Sequence, residues 1–458
     1  MRPTRIENMM GSAQTQLPER IELGAGSRRV FSVLLFVGGA AMVLALLVGF
    51  FTDNTLRRFH FAYLTSFLYF LSIALGALFF VLLQHVTRAG WSVSVRRIAE
   101  NLAAALPVLA ALAAPIVVSV MVQNGSLYKW AIPLHAPPPH VEPAARTEPA
   151  PSAEIPAPAG EVATSHVQET SDEHFQQVLQ EKRAYLNPAF FVGRVAVYFF
   201  VWCGLGIWYW RRSTEQDASG DITLSNRMQG LASPALVAYA LTVTLGSFDL
   251  IMSLDPTWYS TMFGVYYFSG AAVAIFAALI VLVAILQKLG YLTRSVTVEH
   301  RHDLGKFLFA FTFFWGYIAF SQFMLIWYAS IPEETAWYAR RGATSNNADI
   351  NAWTIVSLIL LFGHLLIPFV GLLSRHIKRR QAILVFWAGW MLVFHWIDIY
   401  WLVMPEYDGR LHLGIVELLC FVGIGAIYLA AVLRIALRHT LRPAADPRLV
   451  EALAFQNI

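Results

Sequence analysis

Ionisable side chains inside long apolar runs are the residues of this sequence that could do chemistry. A charge at the centre of a bilayer costs at least about 2.5–3.5 kcal/mol, so such residues usually serve a function. Embedded carboxylates and imidazoles can exchange protons or bind the polar end of a lipophilic molecule. The candidates for a proton pathway are Arg194, Asp249, His364, His395, Asp398, Glu417 and, beside His302 and Asp303 at the start of another run, Lys306.

The spacing of these residues favours a graded path. His395 and Asp398 are three positions apart, so a helix presents them on one face. From the helical rise, Asp249 and Glu417 lie about 6 Å below one predicted membrane boundary, and Asp398 about 9 Å. His395 and His364 are deeper, at about 14 Å and 18 Å. Carboxylates near the surface followed by imidazoles near the midplane suit a proton half-channel, a path from one surface to the membrane centre.

Each of these residues also has a plainer interpretation. Arg194 and Asp249 can form a structural ion pair. Glu417 can be interfacial, and His364 can be a packed core histidine. A haem b site would need paired histidines on facing helices, and His364 and His395 are the only pair of matching depth away from the helix ends.

A quinone site is the other chemistry that these residue types allow. A quinone headgroup needs a proton acceptor and hydrogen-bond donors in an apolar pocket. The candidate residues are Asp249, Trp258, Tyr259 and His395, with Tyr266 as a further donor. A quinone pocket and a proton path need the same residue types, so both interpretations stay open. No residue is predicted to be catalytic.

Membrane-spanning helices must position these side chains. The 458 residues are 57% hydrophobic and 14% charged, whereas soluble domains carry about 25% charged residues. A spanning helix needs about 20 apolar residues, and lipid leaves no partner for an open backbone. We therefore predict an all-α polytopic membrane protein with ten transmembrane helices, in the runs 30–51, 61–85, 98–122, 190–210, 233–253, 262–287, 304–330, 352–373, 381–404 and 413–435.

The distribution of Lys and Arg predicts the orientation of the chain. With the N-terminus inside, the inner segments carry 23 of these residues and the outer loops carry 9, in agreement with the positive-inside rule. Residues 1–29 and 436–458 are therefore predicted to be cytoplasmic tails. The first apolar run is too long for a signal-peptide core, so we expect it to be retained. The net charge of +4 does not indicate nucleic-acid binding.

The segments between the tails have two notable features. Residues 123–189, predicted to be periplasmic, separate helices in 30–122 from those in 190–435. Their Pro- and Ala-rich part, 136–160, predicts an extended tether, and a capping box at 170–173 precedes a short amphipathic helix. A weak repeat relates 76–102 to 277–307, which predicts two four-helix units, spans 2–5 and 6–9, flanked by spans 1 and 10.

The cysteines indicate that this chain binds no redox cofactor. Cys203 and Cys420 both lie in apolar runs, and the sequence contains neither a CxxC metal motif nor a CxxCH haem attachment motif. We therefore expect any iron–sulfur cluster or covalent haem to belong to another polypeptide.

Three long motifs resemble one family of membrane proteins. They are the block Ser247–Thr261 (SFDLIMSLDPTWYST), the block His302–Ala310 (HDLGKFLFA), and Ser321–Thr335 (SQFMLIWYASIPEET). All three resemble the NrfD-like integral membrane subunits of bacterial alternative complex III, a quinol:cytochrome c oxidoreductase. That complex contains two paralogous NrfD-like chains, and the motifs are more similar to the second of them, the ActF type, than to the first. Of the candidate pathway residues, Asp249 and Lys306 lie within these motifs and are assigned by the resemblance. The other candidates are assigned from their estimated depth in the membrane.

The resemblance implies a fold, an activity and a set of partners. The fold would be two four-helix bundles plus two flanking helices in the bacterial inner membrane. The assembly would oxidise menaquinol or ubiquinol and pass electrons to cytochrome c or to an oxidase. This chain would contribute a proton half-channel, with a quinone contact as an additional role. The partners would be an iron–sulfur protein, multihaem and monohaem c-type cytochromes holding the haem c, the paralogous NrfD-like chain, small membrane anchors and, in some assemblies, a terminal oxidase.

Two other functions fit the same sequence. A proton-coupled transporter would also embed acids and imidazoles, although that class tends to have inverted repeats and helices broken near the midplane. A purely structural membrane anchor would need none of these residues for proton transfer.

Overall fold

The computed structural model describes residues 19–24, 26–52, 56–123, 125–132, 175–343 and 351–456. The Pro- and Ala-rich segment 136–160 and the capping box at 170–173 lie outside these ranges. The described chain is helical and contains no β-strand.

Within the described residues, ten helices are long and apolar enough to cross a membrane, which confirms the predicted all-α polytopic fold. Their lengths of 22 to 33 residues match or exceed the ~20 residues that a bilayer requires. They are α1 (Gly26–Thr52), α2 (Arg57–Val86), α3 (Val93–Met121), α4 (Pro188–Ser219), α5 (Ile222–Leu254), α6 (Phe263–Lys288), α7 (Val298–Ala329), α8 (Ala352–Leu373), α9 (Gln381–Asp408) and α10 (Ile415–Ala436).

The helices form two four-helix units and a flanking pair. Helices α2–α5 pack together as the first unit, and α6–α9 as the second. Helices α2 and α6 join the two units, and α1 and α10 pack closely on each other beside α2. Glycines permit this close approach: a Cβ on Gly76 would lie 2.3 Å from the Ala271 carbonyl oxygen, and one on Gly423 would lie 2.5 Å from Met42 Sδ. Small residues are the usual means of packing helices in lipid.

Two of the helices are irregular. Helix α3 breaks into three short segments, each later segment beginning next to a proline, Pro107 or Pro115. Helix α8 contains a π-helical stretch, Leu361–Leu366, that ends just before Pro368. Because π-bulges widen a helix and occur often at functional sites, the position of His364 inside this stretch is notable.

At one end of the helical bundle, the two terminal segments of the chain pair with each other. We call the end with residues 251–262, 331–343 and 404–414 the upper face, and the opposite end the lower face. On the lower face, Leu441 N donates to the Ile21 carbonyl oxygen at 2.7 Å, so the two terminal segments pair with each other. Glu19 also accepts hydrogen bonds from the backbone of Arg294 and Ser295 in the α6–α7 turn.

The predicted amphipathic helix is found on the upper face at residues 175–182. Leu179 and Leu186 are buried, and Lys182 Nζ donates to the Pro256 carbonyl oxygen at 2.6 Å. This helix therefore packs on its own chain. Pro188 begins α4, with the Asn187 side chain as its N-cap.

Candidate functional site

Asp398 of α9 lies in the centre of the second unit and is fully buried. Its Oδ1 accepts a hydrogen bond from the Tyr266 hydroxyl of α6 at 2.5 Å, and its Oδ2 accepts one from Trp315 Nε1 of α7 at 3.1 Å. Both donors are neutral, and no Lys or Arg of the described chain forms an ion pair with this carboxyl. Protonation of a carboxyl group that has no fixed cation makes it neutral and leaves no unpaired buried cation behind.

His395 lies one helical turn below Asp398 and is held by α2. Ser72 Oγ lies 2.7 Å from His395 Nε2 and also donates to the Tyr69 carbonyl oxygen at 2.7 Å. The hydroxyl has one proton, so in the neutral state Nε2 carries the hydrogen and Nδ1 presents a lone pair. Nδ1 is buried and has no hydrogen-bond partner among the residues that the structure describes.

Gly270 of α6 makes room between His395 and Asp398. A Cβ there would lie 3.2 Å from His395 Nδ1 and 3.6 Å from Asp398 Oδ2. The free nitrogen and one carboxyl oxygen therefore face the same glycine, although no direct hydrogen bond or ion pair between the two side chains is found in the described chain. The predicted common face of this pair is confirmed.

His364 completes the cluster from α8. It is fully buried, and both ring nitrogens lack a partner within the described residues. The Trp315 indole packs edge-on against the imidazole at 3.9 Å between ring centroids. All four helices of the second unit thus contribute to one cluster, which we call the second-unit cluster: Tyr266, Gly270, Trp315, His364, His395 and Asp398, with Ser72 from α2.

A second group of hydrogen-bonded polar side chains lies between this cluster and the upper face. Gln322 lies seven residues above Trp315 on the same side of α7, and its Nε2 donates to the Tyr338 hydroxyl at 3.1 Å. Its Oε1 accepts a hydrogen bond from Ser260 Oγ, also at 3.1 Å. Ser260 is partly exposed, so this chain of hydroxyl and amide groups reaches the upper surface.

Asp249 lies in the first unit, apart from the second-unit cluster. Its two oxygens accept bidentate hydrogen bonds from Arg194 Nε and Nη2, both at 2.8 Å, and the Tyr198 hydroxyl adds a third at 2.7 Å. This is the geometry of the structural ion pair, the plainer interpretation of these residues. A carboxylate with a guanidinium and a phenol as donors has little capacity left for a ligand.

Glu417 and Lys306 lie outside both arrangements. Glu417 forms a bidentate pair with Arg58 at 3.0 Å for each bond, and caps α10 by accepting from Gly414 N at 2.8 Å. Lys306 forms an ion pair with Asp303 near the lower end of α7. It lies nine residues, or about 13 Å, below Trp315, so the predicted pathway residues occupy several separate places.

The residues predicted for a quinone site do not share a pocket. Trp258 is buried and stacks on Trp337 with centroids 4.3 Å apart, while Tyr259 is 57% exposed. Asp249 is bound to Arg194, and His395 belongs to the other unit. A cavity of about 280 Å³ beside Trp258 has a mostly apolar lining, to which Lys182, Tyr185, Ser253 and Asp255 of the upper face also contribute.

An ion-pair network closes the upper face above the second unit. Arg340 bonds to Asp255 and to Glu406, and Arg341 bonds to Glu406 at 3.2 Å. Burial by itself would raise the pKa of Asp255, but Arg340 and hydrogen bonds from Thr257 bring it below the ordinary value. Burial lowers the pKa of Arg341 to about 10, although Glu406 opposes this shift. We call these four charged side chains the upper latch.

A buried charge cluster at the lower end of the first unit was not predicted from the sequence. Glu100 accepts hydrogen bonds from Arg96 at 3.0 Å and Arg97 at 2.9 Å. Arg97 also bonds to Asp217, and Arg96 to Asp446 of the C-terminal segment. The predicted helix began at residue 98 and left both arginines in a loop, whereas α3 begins at Val93 because these pairs allow the charges to be buried. The spacing of Arg96 and Arg97, four and three residues before Glu100, was the available signal.

No protein-family model matches the chain, and no curated protein matches it. Within the described residues, no group of three or more His, Cys, Asp or Glu side chains is arranged to hold a metal ion.

Proposed function

We propose that this chain is a membrane subunit of a quinol-oxidising respiratory complex and moves protons through its second four-helix unit. The proposal joins the motif resemblance to NrfD-like proteins of alternative complex III with one structural observation. That observation is Asp398, a fully buried acid held by two neutral donors and placed next to an unpartnered imidazole nitrogen.

The side chains of the second-unit cluster suit a short proton relay. His395 Nδ1 and Asp398 Oδ2 both face Gly270, and one water molecule between them would connect the two groups. A proton on Nδ1 makes an imidazolium, whose Nε2–H stays hydrogen-bonded to Ser72 Oγ and which returns the proton from Nδ1 toward Asp398. His364 offers a second buried imidazole beside Trp315.

We assign the upper face to the outside of a bacterial inner membrane, with both termini in the cytoplasm. The excess of Lys and Arg in the segments of the lower face supports this orientation. The hydrogen-bonded chain Ser260–Gln322–Tyr338 then lies between the second-unit cluster and the outside, with Gln322 about 10 Å above Trp315. The described part of α7 between Lys306 and Trp315 has Thr312 as its only polar side chain, so the relay leads outward.

The electron-carrying groups belong, in this proposal, to partner proteins. The complex would take quinol as its substrate, and an iron–sulfur protein and c-type cytochromes would hold the clusters and haem. This chain would supply proton transfer, and a quinone contact is its second proposed role.

Asp398→Asn in the assembled complex tests the proposal. Proton release to the outside during quinol oxidation should fall by about tenfold or more, because an amide cannot replace a proton-transferring carboxyl group. The matched control is Glu333→Gln, which changes an exposed acid of the upper face and should leave the rate unchanged. The readouts are the rate of quinol oxidation and the change in pH inside proteoliposomes.

Two results would contradict the proposal in different ways. An unchanged rate of proton release in Asp398→Asn would indicate a purely structural anchor. Purification of the chain without c-type cytochromes or an iron–sulfur protein would favour a proton-coupled transporter, a function for which the interruptions of α3 and α8 are the supporting observation.

A further inference from the structure

A large groove runs between α9 and α10 in the upper half of the protein. Its volume is about 700 Å³. The walls are formed by side chains of α9 and α10, and Tyr69 of α2 lies at its base. Val393 and Leu418 on the rim are 59% and 56% exposed on the lipid-facing surface. The groove therefore opens sideways to the membrane, so a ligand would enter from lipid.

The base of the groove is aromatic. The Tyr69 and Phe421 rings lie 5.4 Å apart between centroids, and Trp396 meets Phe421 at 6.2 Å. Such a surface favours a flat ring packed by offset stacking or edge contacts. Apart from Gly414 and Glu417, the remaining lining is aliphatic, as a long apolar tail requires.

Two polar groups in these walls have no hydrogen-bond partner in the part of the chain that the structure describes. Tyr69 is 5% exposed, and its hydroxyl forms no bond there. Trp396 Nε1 is buried and lacks an acceptor. An unpaired buried donor such as Trp396 Nε1 costs about 1–3 kcal/mol. A ligand oxygen in the groove would have this indole and the Tyr69 hydroxyl as donors.

The charge of the lining selects against a phosphate headgroup. Among the described residues, no Lys, Arg or His side chain lines the groove. The charged residue in this described lining, Glu417, is an acid already paired with Arg58. A phosphate would meet no free cation there, so a neutral headgroup fits better than that of a phospholipid.

The groove is continuous with the second-unit cluster. The Tyr69 ring also packs on His395, with centroids 5.5 Å apart. The Tyr69 carbonyl oxygen accepts the Ser72 hydroxyl proton, and Ser72 bonds to His395. An occupant of the groove would therefore be separated from the imidazole by one aromatic ring.

We propose that the α9–α10 groove binds a lipophilic quinone or quinol, with its ring against Tyr69 and Phe421 and its tail toward the lipid. This deepens the proposed function, on which it rests for the identity of the ligand. It replaces the site that the sequence suggested around Asp249 and Trp258. The groove is assigned to binding, and no electron transfer is assigned to it.

A photoreactive azidoquinone with an isoprenoid tail tests this site. Native membranes are labelled, the complex is purified through this chain, and labelled peptides are mapped by mass spectrometry. We expect the label on 392–396 or 413–421. Leu418→Trp fills the groove from its exposed rim and should reduce labelling by about tenfold, the equivalent of 1.4 kcal/mol of binding free energy.

Matched variants distinguish loss of the binding site from a general loss of folding. Leu429→Trp lies three turns further along α10 on the same face and is also exposed, so it should leave labelling unchanged. Tyr69→Phe keeps the ring and removes the free hydroxyl, so it should weaken labelling with the fold intact.

Three results would overturn the site. They are a label elsewhere in the chain, equal labelling of Leu418→Trp and Leu429→Trp, or displacement of the probe by phospholipid as effectively as by unlabelled quinone. Cytochromes that copurify with the labelled chain are scored on the same sample. The quinone site and the membership in a respiratory complex can therefore fail independently.

Discussion

The two four-helix units each bury an aspartate in the upper half of the membrane domain, but they bind it differently. In the first unit, Asp249 is held by the guanidinium of Arg194 and by Tyr198. In the second unit, Asp398 is held by a phenol and an indole, with imidazoles nearby. The same residue type at similar depth is therefore paired with an arginine in one unit and, in the function proposed above, is a proton-exchanging acid in the other.

The partner, more than the burial, decides which role an embedded acid can have. A carboxylate paired with a buried guanidinium cannot be protonated without leaving an uncompensated cation, which is costly in a low-dielectric medium. A carboxyl group held by neutral donors leaves no such charge. The following predictions test this difference, from the largest expected effect to the smallest.

Arg194→Met should have the largest effect on stability. It leaves Asp249 buried without its cation, and breaking such a pair costs about 3–5 kcal/mol. The measurement is thermal unfolding of the detergent-solubilised protein. The double variant Arg194→Met/Asp249→Leu should recover most of the loss, because an apolar pair of similar volume is usually tolerated. A double variant as unstable as the single one would show that the charges themselves are not what matters.

Gly270→Ala should destabilise the packing of the second unit and leave the first unit unchanged. The added Cβ would lie 2.9 Å from His395 Cε1, so the imidazole must move, at a cost of about 1–3 kcal/mol typical of overpacking. Outward proton release should fall with it. Gly389→Ala is the control, because no atom lies within 4 Å of its added Cβ. Equal effects of the two variants would argue against a packed junction between His395 and Asp398.

Arg340→Met should weaken the upper latch by about 1–3 kcal/mol, the usual cost of leaving a buried acceptor unpaired. The pKa of Asp255 is lowered in the folded protein, so the latch is fully stabilising above the ordinary pKa of an aspartate. Its contribution is lost as pH falls below about 4. Thermal unfolding from neutral to acid pH should show a smaller acid-induced loss in Arg340→Met than in the wild type.

Asp398→Asn should have the smallest effect on stability, within about 1 kcal/mol, because it strands no cation and the amide oxygen still accepts a hydrogen bond. Thermal unfolding beside Arg194→Met gives the direct comparison between the two units. If both variants lose the same stability, Asp398 also serves mainly to stabilise the fold. The proposed difference in role between the two aspartates would then be wrong.

The sequence predicts the helices of this protein well and the partners of its embedded residues poorly. The ten spans follow from apolar length alone, and the common face of His395 and Asp398 follows from their spacing. Ser72 and His395 are 323 positions apart, and Tyr266 and Asp398 are 132 apart. Their contacts depend on how the helices pack, which hydropathy does not encode.

One other feature could have been predicted from the spacing of neighbouring residues in the sequence. The pairing of Glu100 with Arg96 and Arg97 is local, and an acid at residue 100 lies inside a predicted span. The groove between α9 and α10 could not have been predicted, because it depends on the angle between two helices and on rotamers at Trp396 and Phe421.

The pairing of the terminal segments on the lower face has a consequence for biosynthesis. The hydrogen bond from Leu441 to Ile21 joins residues at the two ends of the chain, and such long-range contacts form late. The N-terminal segment must wait until the last helix has entered the membrane before it finds this partner. A ribosome stalled before residue 441 would therefore hold a chain whose helices are inserted but whose cytoplasmic side, in the proposed orientation, is still open.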